Sequence, residues 1–83
     1  MDLTDSFAHI TALIERASAR YGPIASTHEG LGVALEEWDE LREAVKQNDL
    51  HRIESECLDL AAVLIRMAED VAKNEKTQNR STK

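Results

Sequence analysis

The sequence predicts an all-α fold, with three helices per chain that assemble with a second chain into a four-helix-bundle-type dimer. Three observations predict it. Ala, Leu, Glu, Arg and Lys dominate, with one Phe, one Tyr and one Trp, which is a helical vocabulary rather than a strand one. Apolar residues recur at i, i+3, i+4 in three stretches divided by turn signals. At 83 residues the chain is one domain whose own core is barely sufficient, so association with a second copy is expected.

The first helix is predicted from about Asp5 to Arg20, with Phe7, Ile10, Leu13, Ile14 and Ala17 as its buried stripe and Thr4 or Asp5 as N-cap. Tyr21-Gly22-Pro23 stops it, because Gly tolerates a left-handed cap and Pro cannot continue the ladder. The second helix starts near Ser26, where Ser26 and Glu29 have the spacing of a capping box, and ends near Lys46. Leu31, Ala34, Leu35, Trp38, Leu41 and Val45 form its apolar face. Gln47-Asn48-Asp49 is a short polar turn with Asn48 or Asp49 as the next N-cap, so the second and third helices are antiparallel neighbours.

The third helix begins at about Leu50 and carries Leu50, Ile53, Cys57, Leu60, Ala61, Leu64, Met67, Ala68 and Val71 on one stripe, widened by Leu58, Ala62 and Ile65. Residues 1–73 are the expected helical domain, and 74–83 an expected disordered polar tail. The lone Cys57 excludes an internal disulfide and reads as a small core residue.

The formal charge of -6 argues against a duplex nucleic-acid partner, which needs a basic stripe. It does not exclude a polyphosphate, since clustered carboxylates bind polyanions through a bridging cation. No apolar run spans a bilayer, and the first residues lack the pattern of a signal peptide, so no membrane partner and a cytoplasmic location are expected.

Chemistry concentrates in two pairs of acids. Glu37 and Glu40 stand three apart on the second helix and Glu56 and Asp59 three apart on the third, so each pair points one way and the antiparallel hairpin brings the pairs face to face. Each borders an apolar stripe, with Glu37 four residues before Leu41 and Glu56 four before Leu60. A single E-x-x-E among 16 acidic residues is commonly just a solvated face. Two such pairs, crowded beside apolar residues, repel and lose hydration unless a cation or protons join them. Oxygen donors without a His or Cys pair suit Mg²⁺ or Mn²⁺.

Leu35-Glu36-Glu37-Trp38-Asp39-Glu40-Leu41, followed by Glu56-Cys57-Leu58-Asp59-Leu60, resembles the E-x-x-E and E-x-x-D motif pair of the MazG-like all-α nucleoside triphosphate pyrophosphohydrolases. Tyr21-Gly22-Pro23 through Ser26, His28, Glu29 and Gly30 is similar to short single-domain members from phages and mobile elements, so the likeness covers about Tyr21 to Asp70. The resemblance implies that Glu37, Glu40, Glu56 and Asp59 hold Mg²⁺, with Mn²⁺ as a substitute, and are the catalytic and metal-binding residues. It implies hydrolysis of a nucleoside triphosphate to a monophosphate and pyrophosphate, as nucleotide-pool housecleaning by a homodimer or homotetramer. Either Glu36 or Glu40 would take the proton from water. Longer members carry a further helical segment with basic and amide residues, whereas here only Arg66, Lys73, Asn74 and Lys76 come before the rest of the polar tail, which leaves phosphate contacts to a neighbouring subunit.

Glu36, Trp38, His9, Arg66 and Lys73 complete the candidate substrate-binding set. Trp38 either stacks on a base or packs in a core or interface. His9 lies where the family places part of its base pocket, or on a solvated face, while Arg66 either pairs with Glu69 or Asp70 or reaches phosphates. His28, near the start of the second helix, and His51 read as surface residues. The alternative function is a catalytically silent oligomerisation or nucleotide-binding module that retains the acidic metal site.

Overall fold

A computed structural model describes the backbone of residues 1–82 and the side chains of residues 1–73. The chain is three helices, α1 (Leu3–Tyr21), α2 (Thr27–Lys46) and α3 (Leu50–Thr82), with no strand among the described residues. The expectation of a disordered tail over 74–83 falls outside the residues whose side chains are described. Among the described residues no helix is long and apolar enough to cross a membrane.

Helix α1 starts earlier than its sequence suggests. Asp2, not Thr4 or Asp5, is the N-cap, and its carboxylate accepts the Asp5 N–H at 2.9 Å. Asp5 thereby falls in the first turn, where a negative charge suits the helix dipole. The other end closes at Gly22, whose N–H donates to the Ser18 carbonyl at 2.9 Å and whose φ of 73° with ψ of -172° is a conformation essentially reserved for glycine.

Helix α2 is capped by Ser26 Oγ, which accepts the Glu29 N–H at 3.1 Å. The return contact is shifted by one residue from a standard capping box, because Glu29 accepts the N–H of Ala25 at 3.0 Å rather than that of Ser26. At its C-terminus Asn48 N–H donates to Val45 and Asp49 N–H to Ala44, the paired bonds of a Schellman motif, with Asn48 left-handed at φ 53°. Asp49 then caps α3 by accepting the Arg52 N–H at 3.1 Å. The two candidates for that cap divide the work, Asn48 turning the chain and Asp49 starting the next helix.

Helix α3 packs against both other helices, while α1 and α2 flank it without packing on each other. The core comprises Ile10, Ile24, Ala34, Ala44, Ala62, Val63 and Val71. Buried Gly30 lets α2 approach closely, since a Cβ there would lie 2.8 Å from Met67 Cγ and Sδ. Contacts made through Gly30, Ala34, Ala44 and Ala62 bring the backbones of the hairpin together along its small-residue edge, and the large side chains fall to the flank. The apolar faces read from the sequence are corrected accordingly. Leu31, Leu35, Trp38 and Val45 on α2 and Leu50, Cys57, Leu64 and Ile65 on α3 are exposed in the single chain, and so is Phe7 on α1. Val63 and Ala44, absent from the predicted stripes, are buried.

The loop between α1 and α2 is strapped to α3. Arg66 donates to the Gly22 carbonyl at 2.7 Å, and Asp70 accepts the Ile24 N–H at 3.0 Å beside a buried Ile24 side chain. Arg66 therefore does not pair with Glu69 or Asp70. Asp70 is spent on the loop, and Glu69 pairs with Lys73 one turn on at 3.5 Å.

Candidate metal centre

The Schellman turn fixes the register that assembles the acids. Glu37 and Asp59 lie equally far before and after Asn48, as do Glu40 and Glu56, so an antiparallel hairpin sets Glu37 opposite Asp59 and Glu40 opposite Glu56. One carboxylate oxygen from each of Glu37, Glu56 and Asp59 lies within 4.8 Å of the other two. All three side chains are half-buried. Glu40 is more exposed and is not one of the converging three. It lies beside Glu56 and helps to raise that carboxyl.

The site is electrostatically frustrated. Glu37 Oε2 and Glu56 Oε2 are closed to solvent and have no hydrogen-bond partner. Burial pushes the Glu37 carboxyl up from 4.5 to about 7, with repulsion from Glu40, Asp59, Glu56 and Glu36 adding to it. Glu56 is raised by burial, by its hydrogen bond with Glu40 and by the charges of Glu40 and Asp59, against a lowering by Arg52. Orphaned carboxylate oxygens are costly unless protons or a cation compensate them. The three oxygens, within 4.8 Å of one another, are near enough for side-chain movement to draw them onto one cation. Three hard oxygen donors fit Mg²⁺ or Mn²⁺.

Compared with models of known protein families, with curated proteins and with solved structures, the chain finds no match.

Two of the three converging acids, Glu37 and Asp59, line a cavity. A cavity of about 370 Å³ is lined by Ala17 and Tyr21 of α1, Val33, Glu36 and Glu37 of α2, and Arg66 of α3, among others. A second of about 250 Å³ is lined by Leu13, Glu37, Asp59 and Arg66 with their apolar neighbours. Glu37 and Arg66 line both. Of the remaining candidates only Glu36 joins them. Trp38 lines a separate apolar groove with Leu41, Val45, Ile53 and Cys57. His9 is exposed and lines neither acid-bearing cavity, and Lys73 is exposed beside Glu69. His28 and His51 are exposed, as expected.

Arg52 is the contributor that sequence reasoning missed. It donates to the Glu40 carbonyl at 3.3 Å and to Gln47 Oε1 at 3.2 Å, and it is the cation that opposes the rise at Glu56. The available signal was its place four residues before Glu56 on the same helix face.

Proposed function

We propose that the chain is a Mg²⁺-dependent nucleoside triphosphate pyrophosphohydrolase acting as a homo-oligomer, with Mn²⁺ as a substitute. The observation that carries this reading is the convergence of Glu37, Glu56 and Asp59, with sealed and unpartnered oxygens on Glu37 and Glu56, beside a cavity that Glu37 and Asp59 line. The paired acidic motifs and their resemblance to the MazG-like enzymes supply the reaction class.

Glu37, Glu56 and Asp59 would hold the cation. Bound there, it supplies neutralisation of the polyphosphate and a lowered pKa for water beside phosphorus. The water oxygen bonds to the α-phosphorus, the α–β bridging bond breaks, and its electron pair leaves with pyrophosphate. Glu36 lines the cleft and Glu40 leans on Glu56, so the two flank the triad as candidate acceptors of the water proton. Which one acts is read from whether Glu36→Gln or Glu40→Gln lowers kcat with little change in metal affinity. Pyrophosphate release from a panel of canonical and modified nucleoside triphosphates, with Mg²⁺, with Mn²⁺ and with chelator, tests the reaction. Metal-dependent release is expected; nucleotide binding with no release would leave a silent binding module instead.

The homo-oligomer rests on the exposed apolar flank. Leu31, Leu35, Trp38 and Val45 follow one helical stripe at 53, 52, 49 and 56 % exposure, and Leu50, Cys57 and Leu64 repeat at a spacing of seven on α3. The groove joining Trp38 to Cys57 has a volume of about 490 Å³. Among the described residues no side chain larger than alanine is fully buried within the single chain, so a second α2–α3 hairpin laid on this flank would supply the missing core. Sedimentation should give a dimer or tetramer, and Trp38→Glu should shift it to monomer; a monomeric parent protein would refute the assembly.

A further inference from the structure

Arg66 is the one buried charged side chain among the described residues, at 7 % exposure. One terminal nitrogen is used by the Gly22 carbonyl, but Nε has no hydrogen-bond partner and no described carboxylate forms an ion pair with it. This is so although Arg66 lines both cavities that Glu37 lines. A buried cation with spare donors is costly unless an anion meets it. The same cavities thus bring together two opposite deficits: the orphaned carboxylate oxygen of Glu37, and a guanidinium without an anion.

Neither deficit is met by a single ion. A divalent cation alone satisfies the acids but adds positive charge near Arg66. An oxyanion alone satisfies Arg66 but faces three carboxylates. Asp59 and Arg66 are seven residues apart on α3, hence on one face and about 10 Å apart along its axis. That span accommodates alternating charges, acid, cation, oxyanion and guanidinium, in sequence along the helix.

We propose that Arg66 is the anion-binding half of the site, so that a divalent cation at Glu37, Glu56 and Asp59 and a phosphate-type oxyanion at Arg66 bind cooperatively. This rests on the reading that the triad holds a cation, and it adds which residue grips the phosphoryl oxygen and how the two ligands depend on each other. Coupling is reciprocal, so each ligand tightens the other by the same factor.

The test is Mn²⁺ affinity, followed by the electron paramagnetic resonance of free Mn²⁺, with and without inorganic phosphate and, in a parallel arm, a nucleoside monophosphate. The two arms separate a free oxyanion from one carried by a nucleotide, and coupling in either supports the proposal. In the parent protein the oxyanion should tighten Mn²⁺ about tenfold. Arg66→Gln should still bind Mn²⁺ but lose most of that enhancement. Should Arg66→Gln lose its helical circular dichroism, Arg66→Lys decides: it keeps the charge but loses the guanidinium fork, and its coupling should fall by about threefold or more. Equal coupling in the folded variant and the parent would mean that Arg66 only straps the Gly22 loop, and would overturn the proposal. Mn²⁺ binding to the parent with no oxyanion effect would overturn it while sparing the metal reading, whereas no Mn²⁺ binding at all would remove both.

Discussion

Glu37→Gln should lower pyrophosphate release by roughly a hundredfold or more, and the same substitution should stabilise the metal-free protein. The two effects share one cause. Glu37 has one oxygen sealed from solvent and unpartnered, and its carboxyl is pushed up to about 7 by burial and by four neighbouring carboxylates. Glutamine keeps the volume and removes the charge, so the metal-free chain loses a repulsion while the triad loses a ligand. The melting temperature without metal should therefore rise, and the further rise produced by Mg²⁺ in the parent should shrink or vanish. Glu56→Gln should behave alike, since its Oε2 is also orphaned and its carboxyl is also raised. Unaltered turnover in a variant of parental helicity would remove the catalytic assignment. Lost turnover with an intact Mg²⁺ effect on melting would separate catalysis from metal binding.

The contrast between Glu37 and Glu40 shows where sequence reading reaches its limit. Spacing of three residues, a short polar turn and an antiparallel hairpin were enough to bring Glu37, Glu56 and Asp59 together, because each rests on local periodicity. Periodicity also places Glu40 on the same side of α2. It does not give the rotation of α2 against α3, and that rotation leaves Glu40 at the rim against Glu56. The same rotation explains the apolar faces. Leu31, Leu35, Trp38 and Val45 form a valid stripe by hydrophobicity, yet the hairpin closes along Gly30, Ala34 and Ala44, where small side chains let the helices approach. Hydrophobicity favours the large residues, and close packing favours the small ones. Caps were legible where a side chain and its target lie within one turn, as at Ser26 and Asp49, and missed at Asp2, because an equally suitable Thr4 and Asp5 follow it. The strap from Arg66 and Asp70 to the α1–α2 loop joins residues more than forty positions apart, and nothing local in the sequence announces it.

With chelator present, thermal stability should fall as pH rises through the interval from about 4.5 to about 7, the reverse of the usual acid destabilisation of a carboxylate-rich protein. In this window the folded chain keeps a proton on Glu37 that the unfolded chain, titrating near 4.5, has already released. Stability from this group is complete below the unfolded value and is lost as pH climbs to the folded one. Glu56, raised by burial and by Glu40, works in the same direction. Saturating Mg²⁺ should counteract the decline, because the cation requires the carboxylate form, so the melting difference between Mg²⁺ and chelator should widen with pH. Salt should weaken the repulsive share of the effect more than the share due to burial. Melting curves at fixed protein concentration, at intervals from pH 5 to pH 8, provide the measurement. In Glu37→Gln the metal-free decline should flatten, leaving the contribution of Glu56. A metal-free melting temperature that stays level or rises across this range in the parent would mean that the carboxylates relax into solvent, and the frustration that makes them a metal centre would not exist.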